Sequence, residues 1–475
     1  MERLDCHCNN YLWGKEGANS EVARLFAAGH PDFVINPKAT YSELWMGTHP
    51  DGPARVRGSS RKLSTHIAAS ESAKNLSNNN SKKNNVHLPF IMKVMSIDRT
   101  LSLQVHPTKE QAVRLHARDP KNYPDEHHKP ELAYALTRFE LLCGFRPAKE
   151  MLMNLEAFPP LRRLFGIANC DELRNRINAG FEQKDTKCRI ALAAMFKHMM
   201  NVEGAELREL LFDLFTLLDQ GVRGALRDDT VDVIRKMASD FPGDVGIFGP
   251  LFLNHMVLQP GECCYYAAEE LHAYLSGECV ECVGCSNNTI RAACTPKYID
   301  REALCDVLNY LMTEPEDYLV PGVPLAAAPH VDEYAPDCKD FQLHRIRIAA
   351  SSSSEMKALP VLECASITVF VAGEGVLAEM DENEQEVKRQ NVARGDIIYI
   401  PAGRSVKVIS CSSSIEAYRT FSYEAGPDHD SRTVVPKQDI FSAKTIQTNE
   451  APVKPRFALS YEEVFTVESE MDGMV

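Results

Sequence analysis

The spacing of apolar residues changes several times along the chain and predicts where strands and helices lie. Residues 88–97 (LPFIMKVMSI) and 101–107 (LSLQVHP) are short apolar runs separated by turn residues, which is typical of strands. Leucines then recur at three- and four-residue spacing, which predicts helices with one apolar face, at Leu207, Leu210, Leu211, Leu214, Leu217 and Leu218. Strand-like runs return near residue 249 and again beyond residue 340, as QLHRIRIA, SITVFVAGEG, GDIIYIPAG and SVKVIS.

A weak internal repeat links the two later strand regions. Gly261-Glu262 and Gly395-Asp396 are each followed, at the same offsets, by a small residue or proline and then by His272 or Val406. This is the skeleton of the second cupin motif, and only the first copy keeps the histidine. The predicted fold is therefore mainly β with a helical insert: two cupin or jelly-roll β-barrels plus an α-helical domain.

The same patterns predict domain boundaries. We expect a catalytic cupin domain at residues 1–147 and 248–325, a helical domain at 148–247 and a C-terminal jelly roll at 326–475. Residues 58–86, rich in Ser, Asn and Lys, are expected to form a flexible insertion because they offer little apolar surface to bury. The Pro- and Ala-rich residues 320–337 are expected to be a linker.

Composition narrows the class of protein. With 44% hydrophobic and 25% charged residues, the chain has the composition of a globular protein, and its net charge of −14 argues against a nucleic-acid surface. We find no apolar run long enough to span a membrane and no secretion signal at the N-terminus. We therefore expect a cytoplasmic protein whose 15 cysteines stay reduced.

Four polar residues could together bind a metal ion. Gln104 and His106 lie two apart in a predicted strand, so their side chains share one face. With Glu131 and His272 they would offer an amide oxygen, a carboxylate and two imidazoles, which zinc accepts. From spacing alone, a histidine in a strand is more often a hydrogen-bonded core or surface residue than a ligand.

Longer sequence blocks resemble the type I phosphomannose isomerases. The blocks are YLWGKEG, ELWMGTHP, residues 88–107, YPDEHHKPELAYALTRFELLCGFRP and HAYLSGECVECVGCSNNTIRAACTPKYID, and they stand in family order. His127 and Leu271 depart from the residues usual in the family, which are Asn and Pro.

The resemblance implies roles for individual residues. It implies one Zn²⁺ per chain, held by Gln104, His106, Glu131 and His272, with Arg291 as the catalytic arginine. The family positions around the sugar phosphate correspond to Ser102, Lys93 and Lys129. Two further active-site positions, whose roles are less settled, correspond to Glu281 and Lys297.

The implied activity is the zinc-dependent interconversion of mannose 6-phosphate and fructose 6-phosphate, by a monomer that supplies mannose 6-phosphate for GDP-mannose synthesis and glycosylation. Glu281 is the first candidate for the general base and a lysine the second, although Glu281 could also be a strand carboxylate paired with a cation.

Other functions remain open from the sequence. The Cys279-x-x-Cys282-x-x-Cys285 spacing could indicate a separate metal site, although strand alternation would point Cys279 and Cys282 to opposite faces. A non-catalytic sugar-binding cupin and an iron-dependent cupin oxygenase are the other candidates. The oxygenase would require a triad of two histidines and one carboxylate with open positions.

Overall fold

The structure is a computed structural model that describes residues 1–74, 87–350 and 356–422, with residues 71–74 described as backbone only. Its first part alternates short strands with single helices. The strands are β1 (Glu2–Asp5), β2 (His7–Asn9), β3 (Lys15–Glu16), β4 (Thr40–Tyr41), β5 (Glu43–Gly47), β6 (Arg55–Val56), β7 (Phe90–Ile97), β8 (Leu103–Val105), β9 (Glu131–Ala135) and β10 (Phe139–Phe145). The helices are α1 (Glu21–Gly29), α2 (Leu63–Lys74) and α3 (Lys109–Arg118).

Helices then follow one another, as the leucine spacing predicts. They are α4 (Ala148–Ala157), α5 (Pro159–Phe165), α6 (Ile167–Asn178), α7 (Thr186–Met199), α8 (Gly204–Asp219), α9 (Asp228–Asp240) and the short α10 (Gly249–Phe252). The apolar face of α8 buries Leu207, Leu210, Leu211, Leu214 and Leu218 in one large core cluster. That cluster also contains Leu103, Val105, Leu271 and Ile290, so the helices pack against the strands that carry the candidate site.

The remaining elements are mostly strands. They are β11 (Leu253–Leu258), β12 (Cys263–Tyr266), β13 (His272–Gly284), β14 (Ile290–Ala293), α11 (Arg301–Val307), β15 (Val323–Leu325), β16 (Ala328–Tyr334), β17 (Gln342–Ile348), β18 (Lys357–Ala358), β19 (Ser366–Ala372), β20 (Glu374–Met380), β21 (Glu386–Ala393), β22 (Ile397–Ile400), β23 (Ser405–Cys411) and β24 (Ile415–Phe421).

Two large sheets organise these strands. The first contains β7–β14 with β2 and β5, in the order β11-β10-β13-β7-β5-β2, with β8, β9, β12 and β14 paired beside this path. The second has the order β15-β16-β17-β24-β19-β22-β1-β6, and a four-stranded sheet has the order β18-β23-β20-β21. Over the described residues neither strand order closes on itself, so strands with helices between them are confirmed, while the two barrels stay a prediction.

The first strand belongs to the second large sheet. Glu2 and Arg3 in β1 pair with Tyr399 and Ile398 in β22, although β1 falls within the predicted N-terminal domain. The side chain of His128, close to the candidate site, also reaches Asp340 next to β17, with 2.8 Å between Nε2 and Oδ1. The N-terminal segment therefore contributes a strand to the second large sheet, and the His128–Asp340 contact connects the site segment to the loop before β17. The predicted domain boundaries stay a prediction.

The glycines of the internal repeat have the same conformation. Gly261 (φ 102°) precedes β12 and Gly395 (φ 88°) precedes β22, so both occupy the left-handed region that favours glycine. The repeat therefore corresponds to two equivalent turns that lead into strands.

Two expectations from the sequence are wrong. The expected flexible insertion contains α2, whose Leu63 and Ile67 are buried, because apolar residues four apart share one helix face. The rest of that insertion, residues 75–86, lies outside the described residues. The expected linker at 320–337 contains β15 and β16, with Val331 and Tyr334 buried in the sheet.

Among the described residues, no helix combines the length and the apolar character needed to cross a bilayer.

Candidate metal centre

Backbone pairing brings the predicted ligands together. His106 directly follows β8, whose Gln104 pairs with His272 at the start of β13 on one side and with Arg291 in β14 on the other. Glu131 opens β9 and pairs with Val283, near the other end of β13. One long strand therefore connects residues that are far apart in the sequence.

The bend in β13 makes this possible. Gly277 has φ 111°, and a side chain there would meet the carbonyl oxygen of Arg138 at 2.5 Å. The residues before Gly277 pair with β10, and those from Gly277 onward pair with β7 and β9. A glycine at this position lets both halves of β13 face the same interior space.

His106, Glu131 and His272 form a buried group whose ligand atoms all lie within 4.8 Å of one another. His106 Nε2 lies 3.1 Å from Glu131 Oε1, and His272 Nε2 lies 3.6 Å from Glu131 Oε2. Each Nδ1 donates to a backbone carbonyl, of Asn288 for His106 (2.7 Å) and of Glu270 for His272 (2.9 Å). Because Nδ1 carries the proton, each Nε2 presents a lone pair to the centre of the group, as metal-ligating histidines do.

The electrostatics keep these imidazoles neutral. Burial lowers the pKa of His272 to about 4 and lowers that of His106 as well, with Lys129 adding to the effect at both residues. Burial alone would raise the pKa of Glu131, but Lys129 and the two histidines bring it well below its usual value. Neutral imidazoles beside an ionised carboxylate are the state that a divalent cation requires.

Both Nε2 atoms are buried and have no hydrogen-bond partner. Unpaired buried nitrogens cost free energy, and a cation between them and Glu131 would remove that cost. The residues present therefore fit a divalent metal ion.

Gln104, the fourth predicted ligand, lies beside this group. Its side-chain oxygen accepts a hydrogen bond from the Ser102 hydroxyl at 3.0 Å. Its assignment as a ligand stays a prediction.

Lys93 and Glu281 form a buried ion pair on neighbouring strands. They are register partners in β7 and β13, with 2.8 Å between Nζ and Oε2, and Lys93 also lies 3.2 Å from Glu43 Oε1. Burial opposes the charge on Lys93, but Glu281 and Glu43 raise its pKa. Burial raises the pKa of Glu281, and Lys93 offsets only part of this effect.

Two tyrosines connect Glu281 to the metal-binding group. Tyr274 donates to Glu281 Oε1 at 3.0 Å. The single proton of the Tyr266 hydroxyl serves either Glu131 Oε2, at 2.9 Å, or the Tyr274 hydroxyl, both of which lie within hydrogen-bond distance. Sequence reasoning missed both tyrosines. Tyr274 had a signal that was available, since it lies two residues after His272 in a quoted block.

Arg291 and Lys297 form a second charged feature. Burial lowers the pKa of Arg291, and its Nε has no hydrogen-bond partner. The pKa of Lys297 is also lowered, mainly because the side chain is partly buried and to a smaller extent because Arg291 is positively charged. No carboxylate of the described residues forms an ion pair with either side chain. By contrast, Lys129 is paired with Glu131, with 3.2 Å between Nζ and Oε1. Arg291 and Lys297 are thus available for an anionic ligand.

A cavity of about 500 Å³ lies against the segment that precedes Lys129. It is lined by His49, Asp125, His127 and Asn287 among others, and by none of the four predicted ligands. His49 is nevertheless close to the site, because its ring packs edge-on against Trp45 (5.4 Å) and Lys93 lies 5.2 Å from the Trp45 ring. Glu43 and Trp45 belong to the quoted ELWMGTHP block and could have been singled out from it.

The alternative cysteine site has no support in the structure. Cys279, Cys282 and Cys285 are free thiols, and burial raises the pKa of each. Among the residues that the structure describes, His106, Glu131 and His272 are the one group of three with ligand atoms close enough to hold an ion.

Comparison with known proteins places the chain in a family. Residues 1–148 match the family model "Phosphomannose isomerase type I, catalytic domain", and residues 167–253 match "Phosphomannose isomerase type I, helical insertion domain". Mannose-6-phosphate isomerase of Homo sapiens is 37% identical over 410 residues, covering 85% of this chain and 94% of the human protein. Mannose-6-phosphate isomerase 1 of Arabidopsis thaliana is 32% identical over 421 residues, covering 88% and 93%.

Solved structures agree with these sequence matches. The apo form of mannose 6-phosphate isomerase from Salmonella typhimurium is similar with a TM-score of 0.69 and 25% identity, covering 89% of this chain and 99% of that one. Identity above 30% along most of the chain, with the same fold, shows that the protein belongs to the type I phosphomannose isomerase family.

Proposed function

We propose that this chain interconverts mannose 6-phosphate and fructose 6-phosphate as a zinc-dependent aldose–ketose isomerase. The observation that carries the proposal is the pair of unpartnered Nε2 atoms, of His106 and His272, directed at the ionised carboxylate of Glu131. The names of the human and plant relatives supply the substrate, and the available cations Arg291 and Lys297 suit its phosphate.

His106, Glu131 and His272 would hold the ion, with Gln104 as the fourth ligand. Neutral imidazole nitrogens together with a carboxylate and an amide oxygen suit zinc, and three or four such ligands leave room for substrate. A bound divalent cation supplies Lewis-acid polarisation of the substrate's carbonyl or hydroxyl oxygens.

Glu281 is the proposed general base. The reaction takes a proton from C2 of the open-chain aldose and returns it to C1, while a second proton moves from O2 to O1 through an enediol. A carboxylate whose pKa is raised by burial is a stronger base than an exposed one. The hydrogen bond from Tyr274 and the ion pair with Lys93 hold its two oxygens in fixed directions.

We propose different roles for the four cations near the site. Arg291 lies in β14 beside Gln104, where a fixed guanidinium can stabilise negative charge on the reacting oxygens. Lys297, which is exposed and unpaired, is proposed to bind the phosphate, together with Ser102. Lys93 forms an ion pair with Glu281, and Lys129 forms one with Glu131. We therefore propose that these lysines orient the two carboxylates and also face the substrate.

The wider role follows from this activity. We propose that the protein acts as a cytoplasmic monomer and supplies mannose 6-phosphate for GDP-mannose synthesis and glycosylation. The rival function, a non-catalytic sugar-binding cupin, predicts binding without turnover.

A coupled assay tests the proposal. Purified protein is given mannose 6-phosphate, and fructose 6-phosphate formation is followed before chelation, after chelation and after Zn²⁺ is restored. We expect turnover that chelation abolishes and Zn²⁺ restores, with glucose 6-phosphate as the control substrate. Binding without turnover would favour the rival function.

A further inference from the structure

Two segments beside the metal centre are held together by Asn288, which is fully buried. Its side-chain Nδ2 donates to the backbone carbonyls of Asp125 (2.7 Å) and His127 (2.9 Å), and it lies 3.1 Å from Asp125 Oδ1. The segment that it holds leads directly into Lys129 and Glu131. An amide buried without solvent is costly unless it is paired, so these bonds fix the distance between the two segments.

The backbone of the same residue holds a predicted ligand. The carbonyl oxygen of Asn288 accepts the bond from His106 Nδ1 at 2.7 Å. This bond sets the tautomer of His106 and the direction in which Nε2 points.

The contacts form a closed circuit around the site. The backbone carbonyl of Asn288 accepts a hydrogen bond from His106, and His106 Nε2 lies 3.1 Å from Glu131 Oε1. The backbone from Glu131 leads back to His127, whose carbonyl accepts a hydrogen bond from the Asn288 side chain. Lys129 lies on this path and contacts Glu131 at 3.2 Å. A shift of Asn288 would therefore move an imidazole and a carboxylate relative to each other.

Neighbouring residues stiffen this arrangement. The carboxylate of Asp125 accepts from the Ser286 hydroxyl (2.7 Å) and from the backbone N–H of Asn287 (2.8 Å). Ser286 Oγ also accepts the backbone N–H of Asn288 at 3.1 Å. The position of Asn288 is thus defined from both sides.

We propose that Asn288 is a positioning residue of the metal centre, which sets the geometry between His106 and the segment that carries Lys129 and Glu131. This inference rests on the proposed function, because it assumes that the group binds a divalent ion. Outer partners of this kind typically change metal affinity by about 10- to 100-fold when they are removed.

The adjacent asparagine offers a matched control. Asn287 is exposed, and its side chain donates to Asp51 at 2.9 Å rather than to the segment before Lys129. Asn288→Ala and Asn287→Ala therefore remove the same side-chain amide at neighbouring positions. Only Asn288→Ala removes the hydrogen bonds to the carbonyls of Asp125 and His127.

The test measures Zn²⁺ affinity of the metal-depleted full chain by competition with a chromophoric chelator, and the visible absorption of the Co²⁺-loaded protein. For Asn288→Ala we expect affinity about 10- to 100-fold weaker than wild type and an altered Co²⁺ spectrum, with Asn287→Ala matching wild type. A residue with a merely structural role would lower the unfolding temperature of the metal-free protein and leave affinity and spectrum unchanged.

The outcomes separate the two proposals. Equal affinity in wild type, Asn287→Ala and a folded Asn288→Ala would overturn the positioning role alone, whereas no Zn²⁺ affinity in wild type would overturn the proposed function and this inference with it. If Asn288→Ala does not fold, Ser286→Ala replaces it, because it removes the hydroxyl that accepts the Asn288 N–H. We expect weaker Zn²⁺ binding in that variant, and unchanged binding would overturn the inference.

Discussion

The imidazole rings of His106 and His272 lie with their centroids 5.1 Å apart and both Nε2 atoms directed at the carboxylate of Glu131. His106 directly follows β8 and His272 begins β13, and the two segments are adjacent because Gln104 pairs with His272. Sheet register, rather than closeness in sequence, creates the site.

Glu281→Gln should lower kcat strongly, because the amide cannot accept the substrate proton. We expect a decrease of about 100- to 10,000-fold, the usual contribution of a general base. Metal content should stay at the wild-type level, since Glu281 is not among the predicted ligands. Steady-state kinetics and metal analysis on one preparation measure both, and an unchanged kcat would assign the proton transfer to another group.

Arg291→Ala should lower kcat/KM by about 100- to 1,000-fold, the cost of losing one fixed group that stabilises an oxyanion. The matched variant Arg291→Lys keeps the charge but lacks the planar fork of donors, so we expect only partial recovery. Kinetics with mannose 6-phosphate measure the effect. Near-normal kcat/KM in the alanine variant would contradict the assigned role.

Raising the pH should weaken substrate binding through Lys297. Its pKa lies below the ordinary value, because partial burial and Arg291 both disfavour the charged form. The ammonium therefore loses its proton at a lower pH than an isolated lysine would, and KM should increase on the alkaline side. Lys297→Arg keeps its charge throughout this range, so a KM that rises equally in both proteins would exclude Lys297 as the titrating group.

The metal-free protein should lose stability in mild acid. Burial lowers the pKa of His272 to about 4 in the folded protein, against the ordinary value of 6.5 in an unfolded chain. Between these two values the unfolded chain binds a proton that the folded chain does not. The free energy of unfolding therefore decreases as the pH falls through this window, by about 3 kcal/mol in full. Urea unfolding of chelator-treated protein at pH 7 and pH 4.5 measures this decrease. A His272→Gln variant should show a smaller decrease, and an equal one would contradict the assignment.

The sequence was sufficient for features that depend on local patterns. The leucine spacing predicted α8, and short apolar runs bounded by turn residues predicted β7, β17, β19, β22 and β23. The family resemblance named His106, Glu131 and His272, which the structure brings together.

Other features could not be predicted because they depend on partners distant in sequence. The sequence around Leu63 and Ile67 is polar, so it does not predict a helix. The helix is stabilised because these two residues pack in a core whose other members are far away in the sequence. The contact from Tyr274 to Glu281 requires the bend at Gly277, and the role of Asn288 depends on carbonyl groups in another segment. Tyr274 and Asn288 both lie in a quoted block, but the sequence does not show which groups they contact.

Zinc binding by His106, Glu131 and His272 is measured most directly as the zinc content of purified wild-type and His272→Ala protein, by elemental analysis after dialysis. We expect about one Zn²⁺ per chain in the wild type, held by a site of this kind, and almost none in the folded variant. A full equivalent of zinc retained by the variant that lacks His272 would overturn the proposed metal site.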